Sequence, residues 1–269
     1  MLEPTIINPR EPSRWWNKAL TLVEGCTRCS AGCRDCWALA CEERFGRAVE
    51  GGGIRLRWDR LDDPLHWRKP RVVAVWNDLF HPDVPWEFQC GALNNLSIGG
   101  HVGILLTKRA ERMREFFTSL EDWDPSEATG IILGVTCESN KYLHRVEELV
   151  KTPAAVRFVN AHLLGPLDGA VCGLPADGLC PYPCDPCDAE HPCSYRIDWR
   201  VIECNRPFRG DPAEWWGWCQ PLVEQAVAAG VPVWMKQGPL PSGKVTHDIG
   251  KFPPWAQRRE FPGQKETTT

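Results

Sequence analysis

An α/β fold, a full or partial (β/α) TIM-like barrel, is the expectation for this chain of 269 residues. Three observations lead to it. Short β-branched apolar runs of strand length recur along the chain, and amphipathic stretches of helical length separate them. The rhythm breaks once, over residues 165–197, which are rich in Pro, Gly, Asp and Cys and too long for an ordinary connection. Repeated β-then-α units argue for parallel strands, and six or seven of them for a barrel, with a doubly wound open sheet as the alternative. One domain over residues 1–252 is expected, carrying residues 165–197 as a metal-stapled insertion, with a frayed tail over 253–269.

The strands are expected at residues 21–23, 71–76, 102–106, 131–135, 156–159, 199–202 and 231–235. The helices are expected at 37–45, 86–96, 110–120, 142–150 and 213–229. Within the third helix, Met113, Phe116, Phe117 and Leu120 recur at helical spacing, with Glu111, Arg112 and Arg114 between them. Gly230 follows the last helix as a C-cap and sets up the final strand.

Composition narrows the class. A hydrophobic content of 43% and a charged content of 25% fit a packed core. The net charge of −4 argues against a broad electrostatic grip on nucleic acid, while a local basic groove stays open. No stretch approaches the length of a membrane span, and the start MLEPTIINPREPSRWW lacks the apolar core of a signal peptide. A cytoplasmic protein with no membrane partner is therefore expected. There, fourteen cysteines read as metal ligands or buried thiols rather than disulfides.

Cys26, Cys29, Cys33 and Cys36 crowd into GCTRCSAGCRDC, and Cys180, Cys184, Cys187 and Cys193 into CPYPCDPCDAEHPC. Each run contains C-x3-C-x2-C: Cys29/Cys33/Cys36 and Cys180/Cys184/Cys187. A short loop with that spacing can wrap three thiolates around a [4Fe–4S] cluster and leave one iron open, whereas four thiolates close a site around zinc or a cluster. Gly25 and Gly32 would let the backbone wrap closely. At the second run the choice between zinc and a second [4Fe–4S] cluster is open, and His191 could replace one cysteine.

The loop after the first strand, with its C-x3-C-x2-C spacing, resembles the radical S-adenosylmethionine superfamily. The chain is also similar to a phage-associated family with a motif GC-x6-C-x2-C-Y/W-A. That motif maps onto Gly25, Cys26, Cys33, Cys36, Trp37 and Ala38. Further matches are DPLHWRKPR (63–71), NDLFHPDVP (77–85), LLTKRAERM (105–113), GVTCES (134–139), TPAAVRF (152–158), LLGPLD (163–168) and AAGVPVWMKQ (228–237). The family motif takes its first cysteine at Cys26 and the superfamily spacing takes Cys29, so the third ligand is open. The family's acidic residue before LLGP is replaced here by the His162 region, and its glycine-rich stretch by Glu203-Cys204-Asn205-Arg206.

The resemblance implies an iron–sulfur enzyme of radical S-adenosylmethionine type, in which a reduced cluster cleaves the sulfonium and the resulting radical abstracts a substrate hydrogen. It also implies a nucleobase or nucleotide as the substrate class, and a possible protein partner. Asn77 and Asp78, with His81 nearby, follow the second strand, where superfamily members hold the methionyl amino group; helix caps and turns use the same residue types. Lys108 and Arg109 follow the third strand and could pair with a carboxylate or phosphate. Glu138, His162, Glu203 and Lys236 with Gln237 end the later strands. Asn77, Asp78, Lys108 and Glu138 are the expected cosubstrate contacts. The alternative function is a non-catalytic metal-stapled barrel that binds nucleic acid or a protein.

Overall fold

The computed structural model describes residues 14–167 and 196–263. Cys180, Cys184, Cys187 and Cys193, and nearly all of the expected insertion, lie outside the described residues. The class is α/β, as the alternation of runs implies. Contacts gather into two compact units, Met1–Val135 with Thr152–Val156 and Thr136–Lys151 with Arg157–Thr269.

The first unit contains β1 (Lys18–Thr21), β2 (Val23–Gly25), α1 (Trp37–Arg44), β3 (Ile54–Leu56), β4 (Val72–Trp76), α2 (Trp86–Ile98), β5 (Val102–Thr107), α3 (Ala110–Thr118) and most of β6 (Ile131–Cys137). Strands β1, β4, β5 and β6 pair in parallel in that order. β4 and β6 are apolar on both faces and almost wholly buried, as interior parallel strands are. Helix α3 buries Met113, Phe116 and Phe117 of the expected stripe together with Ala110, and it ends at Thr118, before Leu120.

The single strand expected over 21–23 is in fact two. β1 runs beside β4, and the chain bends at the fully buried Leu22. β2 then pairs antiparallel with β3 in a separate two-stranded sheet. The run KALTLVEG hides a bend whose cause is tertiary, the burial of Leu22, and β3 is only three residues long behind a run of glycines.

The second unit holds α4 (His144–Lys151), β7 (Val156–His162), β8 (Trp199–Glu203), α5 (Pro212–Ala228), β9 (Val233–Pro239) and β10 (Val245–Thr246). β7, β8 and β9 are parallel, and β10 adds antiparallel to β9. Helix α5 is capped by Asp211, whose side chain accepts from the Ala213 N–H at 2.9 Å, with Pro212 in the first turn. Its Trp215, Cys219, Leu222, Val223 and Ala226 form one buried stripe. Pro221 sits inside this helix opposite the Gly217 carbonyl, a position where the proline ring and missing N–H would ordinarily kink a helix. Gly230 takes φ +65°, and the Val231 N–H closes on the Ala226 carbonyl at 2.8 Å, which is the expected C-cap.

The stretch expected as a tail from 253 instead docks along β9. The Glu260 N–H reaches Val233 O at 2.9 Å, the Met235 N–H reaches Arg258 O at 3.0 Å, and Phe261 is buried. Its backbone supplies bonds that β9 needs, which composition could not reveal.

Gly25 ends β2 with φ +80°, and a Cβ there would lie 2.2 Å from Gly53 O. Both the backbone conformation and the space demand glycine. Gly25→Ala should lower stability by about 2–3 kcal/mol in urea denaturation. A change below about 0.5 kcal/mol would show that the β2–β3 corner yields freely.

Candidate functional site

In the first unit the cysteine loop leaves β2 at Gly25 and returns at the N-terminus of α1. Both ends are held by Glu42 on α1. Its carboxylate accepts from the Gly25 N–H at 2.9 and 3.1 Å and from Asn77 Nδ2 at 2.6 Å. Asn77, with φ 63°, also donates to Val23 O at 2.7 Å. The expected cosubstrate contact Asn77 is thus a clamp on the loop's entry. Glu42 itself was not anticipated; a glutamate in a short helix carries no local signal.

Within the loop, Cys33 is buried, Cys26 and Cys36 are half-buried and Cys29 is exposed. Cys33 Sγ lies 3.5 Å from Ser30 Oγ and 3.6 Å from Lys108 Nζ. A hydrogen bond from Cys29 is the main cause that holds the Cys33 thiol down at about 3, against its burial and with help from Ser30 and Lys108. Cys26 behaves oppositely. Burial, then Asp78, push its thiol up, although Arg109 Nη1 lies 3.6 Å from the sulfur.

Asp78 anchors this corner. Its Oδ1 accepts from Thr107 Oγ1 at 2.7 Å and from the Phe80 N–H at 3.0 Å, and its Oδ2 pairs with Arg109 at 2.5 Å. Arg109 also donates to Thr27 O and Oγ1, each at 2.8 Å, fastening the loop to the end of β5. The Asp83 N–H donates to His81 Nδ1 at 3.2 Å, so Nε2 carries the proton that meets Thr27 Oγ1 at 2.8 Å. Burial and the Arg109 charge hold His81 below its ordinary range.

The donor chemistry fits an anionic thiolate-bound centre: four thiols on one loop, one of them ionised, with two cations on the sulfurs. The thiols do not meet at a point. Among the described residues, no group of three or more His, Cys, Asp or Glu is placed to hold a metal ion.

Sequence similarity assigns the chain to a group. The profile of the family described as "Protein of unknown function (DUF5131)" matches residues 11–265. The chain belongs to this family. No curated protein and no solved structure matches it.

In the second unit of this DUF5131 protein the expected contact Glu138 is fully buried and paired with Arg145 at 2.7 Å. Arg145 also donates to Thr136 O at 2.8 Å and lies over the Tyr142 ring at 4.4 Å. Beside them burial pushes the Cys137 thiol up to about 12. Glu138 therefore organises the interior at the end of β6.

Glu203, His162 and Lys236 do come together. Glu203 Oε2 meets Lys236 Nζ at 2.6 Å, Oε1 accepts from Asn160 Nδ2 at 2.9 Å, and His162 Nδ1 lies 4.0 Å away. Burial alone would raise this carboxyl, but Lys236, His162 and Asn160 bring it down to about 2. Asn160 was missed, although an amide inside the apolar run VRFVNAH is itself a signal. Gln237 Nε2 donates to Cys204 O at 2.6 Å. Among the described residues, no helix is long and apolar enough to cross a membrane.

Arg145→Met should cost about 3–5 kcal/mol in urea denaturation by leaving Glu138 buried without its cation. The double change with Glu138→Leu should recover most of that loss, and a single-variant loss below about 1 kcal/mol would show that another group compensates the carboxylate. The Cys33 thiolate makes a pH prediction. Its folded pKa is depressed, so its contribution to stability is full above the unfolded thiol range and falls away as pH drops towards about 3. Ultraviolet thiolate titration of metal-free protein, with Cys33→Ala as the blank, should show one acidic thiol that Lys108→Met shifts upward. A midpoint in the ordinary thiol range would contradict the geometry.

Proposed function

We propose that the first cysteine loop closes around a [4Fe–4S] cluster, and that the protein is an iron–sulfur enzyme of radical S-adenosylmethionine type. The observation that supports this best is the pairing of ionised Cys33 with Lys108, and of Cys26 with Arg109. A cation beside a thiol favours the thiolate, the form that ligates a metal. Such a cluster, when bound, supplies one-electron chemistry at low potential.

In this reading Cys33 and Cys36 are two ligands, and Cys26 or Cys29 is the third. Lys108 and Arg109 offset the negative charge of the thiolates. Asp78 and Lys108 stand beside the loop, where the ammonium and carboxylate of S-adenosylmethionine would be met. Asn77 and Glu138 act by positioning, through Glu42 and Arg145. The parallel strands belong to a full or partial (β/α) barrel, and the substrate is a nucleobase or nucleotide. The second cysteine loop carries zinc or a second cluster, the setting is cytoplasmic, the family is phage-associated, and a protein partner completes the reading.

The alternative is a metal-stapled binding module with no radical chemistry. Anaerobic reconstitution separates the two. The enzyme reading expects a brown protein with about four irons per first-loop cluster. Cys33→Ala and Cys36→Ala should each remove them, and Cys26→Ala against Cys29→Ala should identify the third ligand. A colourless protein holding only zinc, or iron retained when both Cys33 and Cys36 are lost, would overturn the reading.

A further inference from the structure

The carboxyl ends of β7, β8 and β9 gather polar side chains that the metal reading does not use. Ligands of parallel α/β sheets bind at this end of the strands. Two local features mark it as built. The pairing of β8 with β9 runs Ile202 to Met235 and then Glu203 to Gln237, so Lys236 is the extra residue of a bulge. A bulge gives up ladder pairing and re-aims a side chain, and here it sets Lys236 Nζ on the Glu203 carboxylate at 2.6 Å.

The second feature is a hydrogen-bond acceptor left over. Asn160 is 2% exposed, its Nδ2 donates to Glu203, and its Oδ1 has no partner. A buried acceptor without a donor is costly, and it stands beside a carboxylate that is ionised at every ordinary pH. A group arriving with an N–H or O–H would satisfy both.

Further cations gather around His247, next to Lys236. The exposed Arg206 puts Nη1 3.4 Å from His247 Nε2, and His247 Nδ1 faces Lys236 O at 3.3 Å. Arg259 donates to His247 O and to Met235 O. Lys236, Arg206 and Arg259 therefore gather around His247, and after burial their charges hold the imidazole below its ordinary range. His162, whose Nε2 meets Asn205 Oδ1 at 2.6 Å, completes the group.

We propose that this strand-end group of the second unit binds a phosphate monoester whose organic part offers a hydrogen-bond donor, as nucleotides and sugar phosphates do. Arg206 and Lys236 take the phosphate oxygens, a fork and a point charge suited to that anion. Glu203 and Asn160 Oδ1 take the hydroxyl or N–H. No metal is involved, so this site can exist whether or not the cysteine loop holds a cluster.

Calorimetric titration of the purified full chain with uridine 5′-monophosphate, ribose 5-phosphate, uridine and inorganic phosphate tests this. At least one ester should bind, about tenfold or more tightly than uridine and inorganic phosphate. Tighter binding of the nucleotide than of the sugar phosphate identifies a nucleotide site, and equal binding identifies a sugar-phosphate site. Arg206→Ala, at an exposed position, should weaken the ester about tenfold. Glu203→Gln should weaken the ester relative to inorganic phosphate, whose own binding holds or rises because Lys236 loses its counter-charge. Esters that bind no better than inorganic phosphate, or full ester affinity in both Arg206→Ala and Lys236→Met, would overturn the proposal.

Discussion

The carboxylate of Glu42 is the constraint on which the cysteine loop depends. It joins Gly25 at the end of β2, Asn77 after β4 and its own helix α1 through three short hydrogen bonds. A charged acceptor makes each of these worth about 1.5–3 kcal/mol, more than a neutral contact. The loop between Gly25 and Trp37 has little regular structure of its own beyond the turn Ala31–Cys33. With both ends fixed, its freedom is confined to residues whose side chains carry the chemistry. Cys33 is thereby kept beside Lys108 and Cys26 beside Arg109, two cations that arrive from the end of β5.

The second unit uses the same device with different partners. Glu138 and Glu203 are buried carboxylates at strand ends, and each is matched by a cation from its own unit, Arg145 or Lys236. Their surroundings set different roles. Around Glu138 the groups are interior: Arg145 is spent on Thr136 O and the Tyr142 ring, and Cys137 is held as a neutral thiol. Around Glu203, His162 and Lys236 keep about a fifth of their side-chain surface open, which leaves room for exchange with a ligand. Burial of a charge is thus no guide to function by itself. What distinguishes the two is whether the partners are also closed off.

The repetitive part of the fold was legible in the sequence. Strands such as VVAVW and IILGVTC are apolar without alternation, and the stripes on α3 and α5 have helical period, so local pattern and tertiary burial agree. The bend at Leu22, the docking of residues 258–261 along β9 and the division into two units arise from contacts between distant segments, for which no local pattern exists. At the site, residue type was readable and partnership was not. Asn77, Asp78, Lys108 and Glu138 stand at strand ends as expected. Only the structure shows that Asn77 serves Glu42, Glu138 serves Arg145 and Asp78 serves Arg109.

That last partnership restricts what could bind beside the thiols. Asp78 and Arg109 are both nearly buried, with side chains about one-tenth exposed, so an incoming cation that displaced Arg109 from Asp78 would leave a guanidinium without its counter-charge. Uncompensated charges of that kind cost about 3–5 kcal/mol, enough to cancel a good hydrogen-bonded contact. An anion taking Arg109 would strand Asp78 in the same way. A zwitterion avoids both penalties, since its ammonium can share Asp78 while its carboxylate shares Arg109 or Lys108. Under the proposed reading, the ion pair that closes this corner would select on charge, and the amino-acid headgroup of the proposed cosubstrate meets that requirement.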